Sequence, residues 1–214
     1  MRKSIRELAK IVADTLHVGK PVYEFGSLQV IDSREFTDLR PIFAGKEYVG
    51  CDMREGPGVD RVLDLHDIDL PDETAGTVLA FDTLEHVEYV STAMQEVHRI
   101  IQPGGMAVIS SVMNFPIHDH PHDYWRFTPE AFRSLLKPFD TSFVGFAGEE
   151  DFPHTVVGIG FKGDGEPTEE FLRLFEEWKR RWFFLHGKSW RQVRRHLTPP
   201  VLRNLDAKIR RLFR

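Results

Sequence analysis

A histidine-rich segment, residues 114–127 (NFPIHDHPHDYWRF), holds a dense group of side chains that could do chemistry. His118, His120 and His122 alternate along it, a spacing that could place three metal ligands on one side of an extended strand. The His-Pro-His order interrupts a regular strand, however, and zinc sites rarely draw every ligand from one short loop. Histidine is also the natural general base near neutral pH. We therefore predict no metal site and keep the histidines as candidate bases.

Other polar residues directly follow short apolar segments that are typical of strands. The segment 77–84 is apolar almost throughout, as expected for a strand that is buried on both faces of a parallel sheet. Ligands bind such sheets beyond the carboxyl ends of the strands. The candidate site therefore comprises the positions after the strands, namely 24–28, 52–54, 64–67, 82–86 and 112–126.

Strands and helices alternate along the chain, and this order predicts the fold. Apolar patterning predicts strands over 21–25, 46–52, 61–65, 77–84 and 106–112, and helices over 4–17, 34–43, 91–101 and 128–138. Ser4 with Glu7, Ser91 and Thr128 are the expected helix caps, and Pro103-Gly104-Gly105 is expected to end the third helix. The segments 141–149 and 154–163 predict a closing antiparallel pair. We expect a doubly wound, Rossmann-like α/β fold with a mostly parallel seven-stranded sheet, helices on both faces and an antiparallel edge hairpin.

The ordered motifs resemble those of the class I S-adenosylmethionine-dependent methyltransferases, specifically a methyltransferase type 11-like domain. The resemblance covers roughly residues 20–162. The motifs that carry it are Glu24-Phe25-Gly26-Ser27, Cys51-Asp52-Met53, Leu63-Asp64-Leu65, Phe81-Asp82-Thr83-Leu84-Glu85-His86-Val87 and Ile100-Ile101-Gln102-Pro103-Gly104-Gly105. Each motif alone is weak, but their order on the expected elements is much more specific.

The resemblance implies S-adenosylmethionine as the cofactor and assigns a part of it to each motif. Glu24, with Gly26 and Ser27, would lie at its amino acid moiety, where glycine permits close approach of the backbone. Asp52, beside Met53, would accept hydrogen bonds from the ribose hydroxyls, as carboxylates do in dinucleotide sites. The remaining implied contacts are Asp64 and Leu65 at the adenine, and Asp82, Thr83 and Leu84 near the methionine end.

Two departures from the family pattern stand out. The family loop reads acid-x-G-x-G-x-G, whereas only its first glycine, Gly26, is present here before Ser27-Leu28-Gln29-Val30. The connection from Asp52 to Arg61 is also shorter than the dozen or more residues that a parallel crossover usually needs. We expect a turn there in place of the usual helix.

The resemblance also implies an acceptor side. His86 would lie beside the sulfonium, so His86, His118 and His122 are the predicted catalytic residues, with proton acceptance as their role. His120, Tyr124, Trp125 and Arg126 are predicted to bind the acceptor, because the segment resembles one found in enzymes that modify small molecules and glycans. In the alternative interpretation, the aromatic residues belong to the core, Arg126 pairs with an acid and the histidines lie in a solvated loop.

Charge divides the chain unevenly. Residues 1–177 carry 16 Lys and Arg against 32 Asp and Glu, whereas residues 178–214 carry 12 against 1. We therefore predict a methyltransferase-like domain over 1–165 and a basic, amphipathic helical extension over 166–214. The extension could contact a membrane surface through 178–214, pack on the acidic body or mediate a homodimer. The acidic body argues against nucleic acid as a partner.

These observations predict a methyltransferase that acts on a hydroxyl or similar nucleophile of a small molecule or glycan. The alternative is a non-catalytic binding module with the same fold, attached to a membrane or a partner through the basic extension. We expect no transmembrane helix, since no run of about 18 apolar residues occurs. The single cysteine, Cys51, excludes an internal disulfide and favours a cytoplasmic location, with peripheral contact at a membrane as a variant of it.

Overall fold

The computed structural model describes residues 2–29, 37–118 and 121–184. These residues form seven strands, which are β1 (Val22–Phe25), β2 (Tyr48–Asp52), β3 (Arg61–Val62), β4 (Ala75–Phe81), β5 (Ile101–Val112), β6 (Thr141–Gly148) and β7 (Pro153–Phe161). The described residues also form the helices α1 (Lys3–Thr15), α2 (Val90–Ile100), α3 (Pro129–Leu135) and α4 (Glu169–Arg181). A 3₁₀ turn, Leu84–His86, follows β4.

The strands form one sheet in the order β3-β2-β1-β4-β5-β7-β6. Strands β1 to β5 are parallel, whereas β7 runs antiparallel to both β5 and β6. Every residue of β4 is buried, as its apolar sequence predicts. The predicted mostly parallel, doubly wound sheet with its antiparallel edge hairpin is therefore confirmed.

Helix boundaries correct several details of the sequence interpretation. Helix α1 starts at Lys3, after an N-cap residue, Arg2, that makes no capping bond through its side chain. Ser4, the predicted cap, is buried inside the helix because it faces the core. Helix α2 likewise begins after Tyr89 and not after Ser91. The prediction for α3 is confirmed, since Thr128 accepts a hydrogen bond from the amide of Ala131 at 3.1 Å.

Two further predicted segments differ in the structure. Strand β5 begins at Ile101, directly after α2, so Pro103-Gly104-Gly105 lies within the strand and does not end the helix. The predicted strand over 61–65 is reduced to two residues, because Leu63 only bonds back to the carbonyl of Asp52 and the chain then turns. The predicted helix over 34–43 lies partly outside the described residues, and positions 40–45 form turns.

Apolar side chains cover both faces of the sheet. Helices α2 and α3 pack on one face, with Met94 and Phe132 fully buried. Helices α1 and α4 pack on the other, where Leu8 and Trp178 are buried. Among the described residues, no helix is both long and apolar enough to cross a membrane.

Helix α4, which the sequence interpretation assigned to a separate extension, packs on α1 within the compact unit 1–183. The indole nitrogen of Trp178 donates to the carbonyl of Ser4 at 2.7 Å, and that of Trp182 donates to Glu7 at the same distance. These two aromatic residues are therefore engaged within the fold. The predicted basic, helical extension lies outside the described residues from residue 185 onward.

Candidate functional site

A cavity of about 660 Å³ opens beyond the carboxyl ends of the parallel strands. This is the position that the fold class predicts for a ligand. Most of the predicted site residues line it. They are Gly26, Asp52, Met53, Asp64, Leu65, Asp82, Thr83, His86, His118, His122 and Tyr124.

Three residues predicted to contact the cofactor, Glu24, Ser27 and Leu84, lie beneath the cavity wall. Glu24 is 3% exposed, and its carboxylate accepts a hydrogen bond from the Tyr48 hydroxyl at 2.7 Å. Burial raises the pKa of Glu24 to about 7, against the lowering effect of that hydrogen bond. Ser27 is also buried and its hydroxyl donates to the carbonyl of Cys51, while Leu84 belongs to the core.

Gly26 makes the turn after β1 in a conformation that favours glycine, with φ at +84°. A Cβ at this position would lie 2.3 Å from the Thr83 Oγ1, so the wall of the cavity has no room for a side chain. The amides of Gly26 and Ser27 both donate to the carbonyl of Cys51, which fixes the turn against β2.

The two departures from the family pattern form a single packed feature. The short connection between β2 and β3 lies against the segment that lacks the later glycines, and the amide of Gln29 donates to the carbonyl of Pro57 at 2.8 Å. A Cβ on Gly58 would lie 2.5 Å from the carbonyl oxygen of Ser27. Glycine in the connection therefore permits the close approach of the two loops.

Asp52 and Asp64 present carboxylates to one end of the cavity. Asp52, at the end of β2, accepts a hydrogen bond from the amide of Arg54 at 3.0 Å. Asp64 accepts from the amide of His66 at 2.9 Å and contacts its Nδ1 at 2.7 Å. His66 also lines the cavity, and its ring makes an edge-to-face contact with the ring of the exposed Tyr89. His66 lies within the predicted positions 64–67 but was given no role, and no sequence motif indicated Tyr89.

Asp82 lies directly after β4 with φ at +49° and pairs with Arg2, a residue that the sequence interpretation missed. The Arg2 guanidinium also donates to the Thr155 hydroxyl at 2.5 Å. Burial alone would raise the pKa of Asp82, but the charge and hydrogen bonds of Arg2 outweigh it and hold that pKa below its ordinary value.

Glu85 belongs to the predicted motif after β4 but was given no role, and its carboxyl is buried at this wall. Its Oε2 accepts a hydrogen bond from the Ser111 hydroxyl at 2.5 Å, and its carbonyl accepts from the amides of Tyr124 and Trp125. Burial, followed by the negative charge of Asp82, raises the pKa of Glu85 to about 7. Glu85 therefore joins the end of β4 to the loop after β5.

The predicted catalytic histidines meet at the other end of the cavity. The Nδ1 of His86 lies 2.5 Å from the carbonyl oxygen of His122, so this nitrogen carries the proton and donates it. In the neutral ring, Nε2 is then the nitrogen that accepts a proton. The rings of His86 and His118 lie 4.8 Å apart, nearly perpendicular. His120 lies outside the described residues.

The remaining acceptor-side residues differ in their placement. Tyr124 lines the cavity and is 43% exposed. Trp125 is exposed to a similar degree but does not line the cavity. Its indole nitrogen donates to the carbonyl of Val87 at 2.9 Å. Arg126 also lies off the lining, because it forms an ion pair with Asp123, as the alternative interpretation anticipated.

Comparison with known proteins adds a domain family and a set of similar folds. Residues 41–109 match the family model described as a methyltransferase domain. No curated protein matches the sequence.

The solved structures supply the fold. An S-adenosylmethionine-dependent methyltransferase from Archaeoglobus fulgidus has a TM-score of 0.56 at 17% identity, covering 73% of this chain and 94% of its own. Another, from Thermotoga maritima, has a TM-score of 0.54 at 17% identity, covering 74% and 89%. The 1,6-didemethyltoxoflavin-N1-methyltransferase of Burkholderia thailandensis, with its substrate and S-adenosylhomocysteine bound, has a TM-score of 0.54 at 20% identity, covering 75% and 79%.

Proposed function

We propose that this chain, which carries a class I S-adenosylmethionine-dependent methyltransferase domain, methylates a hydroxyl or similar nucleophile on a small molecule or glycan. The observation that supports this activity most directly is the layout of the cavity. The carboxylates of Asp52 and Asp64 line one part of it, and His86, His118 and Tyr124 line another. One cavity thus holds groups suited to a cofactor and groups suited to an acceptor.

The residues at the strand ends fit S-adenosylmethionine. When bound, this cofactor supplies an electrophilic methyl group on a sulfonium centre. The Asp52 carboxylate is suited to accept hydrogen bonds from the ribose hydroxyls, and Asp64 with Leu65 is suited to hold the adenine. Gly26 keeps the wall free of a side chain, which lets the backbone approach the ligand.

The acceptor end can orient a nucleophile and take its proton. Methyl transfer needs in-line approach, so proximity and orientation carry much of the catalysis. The hydrogen bond from His86 Nδ1 to the carbonyl of His122 leaves Nε2 as the basic nitrogen of the neutral ring. His86 is therefore our preferred proton acceptor, with His118 beside it.

The acceptor class follows from the size and lining of the cavity. A volume of about 660 Å³ falls within the range of small-molecule sites, which is roughly 300–1,000 Å³. The exposed rings of Tyr89 and Tyr124 line it and can stack on an aromatic ring or a sugar face. The Burkholderia neighbour, whose structure has 1,6-didemethyltoxoflavin and S-adenosylhomocysteine bound, supports a small-molecule acceptor.

Calorimetric titration with S-adenosylhomocysteine tests the proposal. We expect micromolar binding that Asp52→Ala weakens by about tenfold or more, because a ribose contact is lost. Asp69→Ala is the matched control, since Asp69 is an exposed aspartate outside the cavity lining. This variant should bind S-adenosylhomocysteine with the affinity of the wild type. Equal affinities of Asp52→Ala and wild type would contradict the assigned ribose contact.

The same titration addresses the alternative of a non-catalytic binding module, which predicts no binding by the wild type. The family match and the fold do not favour that alternative. Contact of 178–214 with a membrane, a homodimer and a cytoplasmic location stay predictions. The part of that segment beyond residue 184 lies outside the described residues.

A further inference from the structure

Glu85, His86 and His118 come together at the acceptor end of the cavity. Glu85 and His86 belong to the 3₁₀ turn after β4, and His118 belongs to the loop after β5. One ligand atom from each side chain lies within 4.8 Å of the other two. His118, His120 and His122 belong to one segment, whereas this cluster joins His118 to two residues of a different segment.

Glu85 gives a second, independent indication of a ligand. Its side chain is buried, with 1% of the residue exposed. Oε2 accepts from Ser111, but Oε1 has no hydrogen-bond partner among the residues that the structure describes. A buried carboxylate oxygen without a partner is costly, and such atoms in folded proteins usually have an unseen water or ion.

Outer contacts hold the three side chains in place. The ring of His86 is oriented by its Nδ1 bond to the His122 carbonyl, which is the arrangement that metal-binding histidines commonly use. The backbone amide of His118 donates to Asp123 at 2.8 Å, and Arg126 fixes that carboxylate in turn. Ser111 fixes the carboxyl of Glu85.

We propose that Glu85, His86 and His118 bind one divalent transition-metal cation of the zinc class. Two imidazoles and one carboxylate form a donor set that suits zinc, and a site with three protein ligands keeps a further position open. Around a tetrahedral cation with bonds of about 2.1 Å, ligand atoms lie roughly 3.4 Å apart. In the structure the three ligand atoms lie within 4.8 Å of one another, so binding requires them to approach more closely.

This inference rests on the proposed function only for the role of the cation. All three side chains line the cavity, so a bound cation would be within reach of the acceptor hydroxyl and would lower its pKa. The hydroxyl proton then passes to water. The oxygen forms its bond to the methyl carbon as the carbon–sulfur bond breaks, and the sulfur keeps the bonding electron pair. In this scheme His86 holds the cation, and no histidine needs to accept the proton.

Metal titration of the tag-free, full-length chain tests the site after chelator treatment and dialysis. We expect Co²⁺ to give the visible absorption of a low-coordinate site, saturating at one ion per chain, and Zn²⁺ to displace it. His118→Gln, on a half-buried loop position, and Glu85→Gln should each weaken Zn²⁺ binding by about tenfold or more in calorimetry. His17→Gln is the control, because His17 is exposed and lies outside the cavity lining, and it should bind as the wild type does.

The proposal is overturned if the wild type takes up no Zn²⁺ at about 100 μM, or if His118→Gln binds it as tightly as the wild type. S-adenosylhomocysteine titration of the metal-free protein separates this failure from failure of the proposed function. Binding of S-adenosylhomocysteine without Zn²⁺ binding would contradict the proposed metal site but not the proposed function. Zn²⁺ binding of the expected kind without S-adenosylhomocysteine binding would contradict the proposed function but not the metal site.

Discussion

The guanidinium of Arg2 forms a two-pronged ion pair with the carboxylate of Asp82, with Nε–Oδ2 and Nη2–Oδ1 distances of 2.9 and 2.6 Å. The side chains are only 14% and 15% exposed. This pair joins the residue before α1 to the residue after β4, and both residues line the cavity. The start of the chain is thereby part of the candidate site.

Arg2→Met should destabilise the fold by about 3 kcal/mol, because removing one partner of a buried ion pair leaves the other charge uncompensated. Urea unfolding at neutral pH measures this loss. Arg133→Met is the matched control, since Arg133 forms an exposed pair with Glu130, and it should cost less than about 1 kcal/mol. Equal losses in the two variants would show that the pair with Asp82 contributes no more than a surface contact.

The same pair predicts a dependence on acid. Arg2 holds the pKa of Asp82 below its ordinary value, so the stabilisation is complete above the unfolded pKa of about 4. It is lost as the pH falls through the lower, folded pKa. The difference in the free energy of unfolding between the wild type and Arg2→Met should therefore become smaller as the pH is lowered. A constant difference would exclude this linkage.

The sheet and most of the cavity wall were predictable because they depend on local patterns. Buried parallel strands require apolar runs such as that of β4, and their carboxyl ends meet at one edge. Asp52, Asp64 and Asp82 could therefore be placed from their positions after strands. Glycine at position 26 was expected for a turn that must approach a ligand.

The contacts that the sequence did not predict are long-range or compete with local signals. Nothing local marks Arg2 as the partner of Asp82, since their contact depends on how α1 docks on the sheet. Glu85 belonged to a recognised motif, but its burial depends on the loop that returns over it after β5. Ser4 has the type and spacing of a cap, yet the apolar face of α1 carries it into the core.

Gly26→Ala should lower the affinity for S-adenosylhomocysteine by about tenfold or more, and it should also destabilise the fold. Its Cβ would meet the Thr83 side chain at 2.3 Å in addition to the strain of a φ of +84°. Gly45→Ala separates the two effects, because Gly45 has a φ of +82° but nothing within 4 Å of the added Cβ. This control should cost only about 1–2 kcal/mol of stability and leave affinity unchanged. Similar affinities for both variants would contradict a crowding effect at Gly26.

Glu24→Gln should change how stability depends on pH. Burial raises the pKa of Glu24 to about 7. The stability that Glu24 contributes is therefore complete below its pKa in the unfolded chain and is lost as the pH rises through 7. Glutamine can still accept a hydrogen bond from Tyr48 and does not ionise. Urea unfolding measures this difference. Between about pH 5 and pH 8, the free energy of unfolding of the wild type should fall by up to roughly 3 kcal/mol more than that of Glu24→Gln.

Glu55→Gln, at an exposed position, is the control for this experiment and should follow the wild-type pH profile. A Glu24→Gln profile parallel to the wild type would mean that Glu24 titrates at its ordinary pKa. The buried carboxyl of Glu85 remains in all three proteins, so its contribution cancels from the comparison.

Arg126→Lys should loosen the loop over 113–127 without removing a positive charge. The Arg126 guanidinium donates to both carboxylate oxygens of Asp123, at 2.5 and 2.7 Å, and to the carbonyls of Phe115 and Pro116. The hydrogen bonds from Arg126 to the Asp123 carboxylate are the main reason why the pKa of Asp123 lies well below its ordinary range. Lysine has no planar fork and cannot reproduce the paired bonds.

We expect hydrogen exchange of amides in 113–118 and 121–127 to accelerate by about tenfold or more in Arg126→Lys, because the bonds that close the loop are worth roughly 1–3 kcal/mol. Exchange in β4 should stay as in the wild type. Arg173→Lys is the matched control, since Arg173 pairs with Glu177 on the exposed face of α4, and it should leave the loop unaffected. Unchanged exchange in Arg126→Lys would mean that the ion pair does not hold the loop.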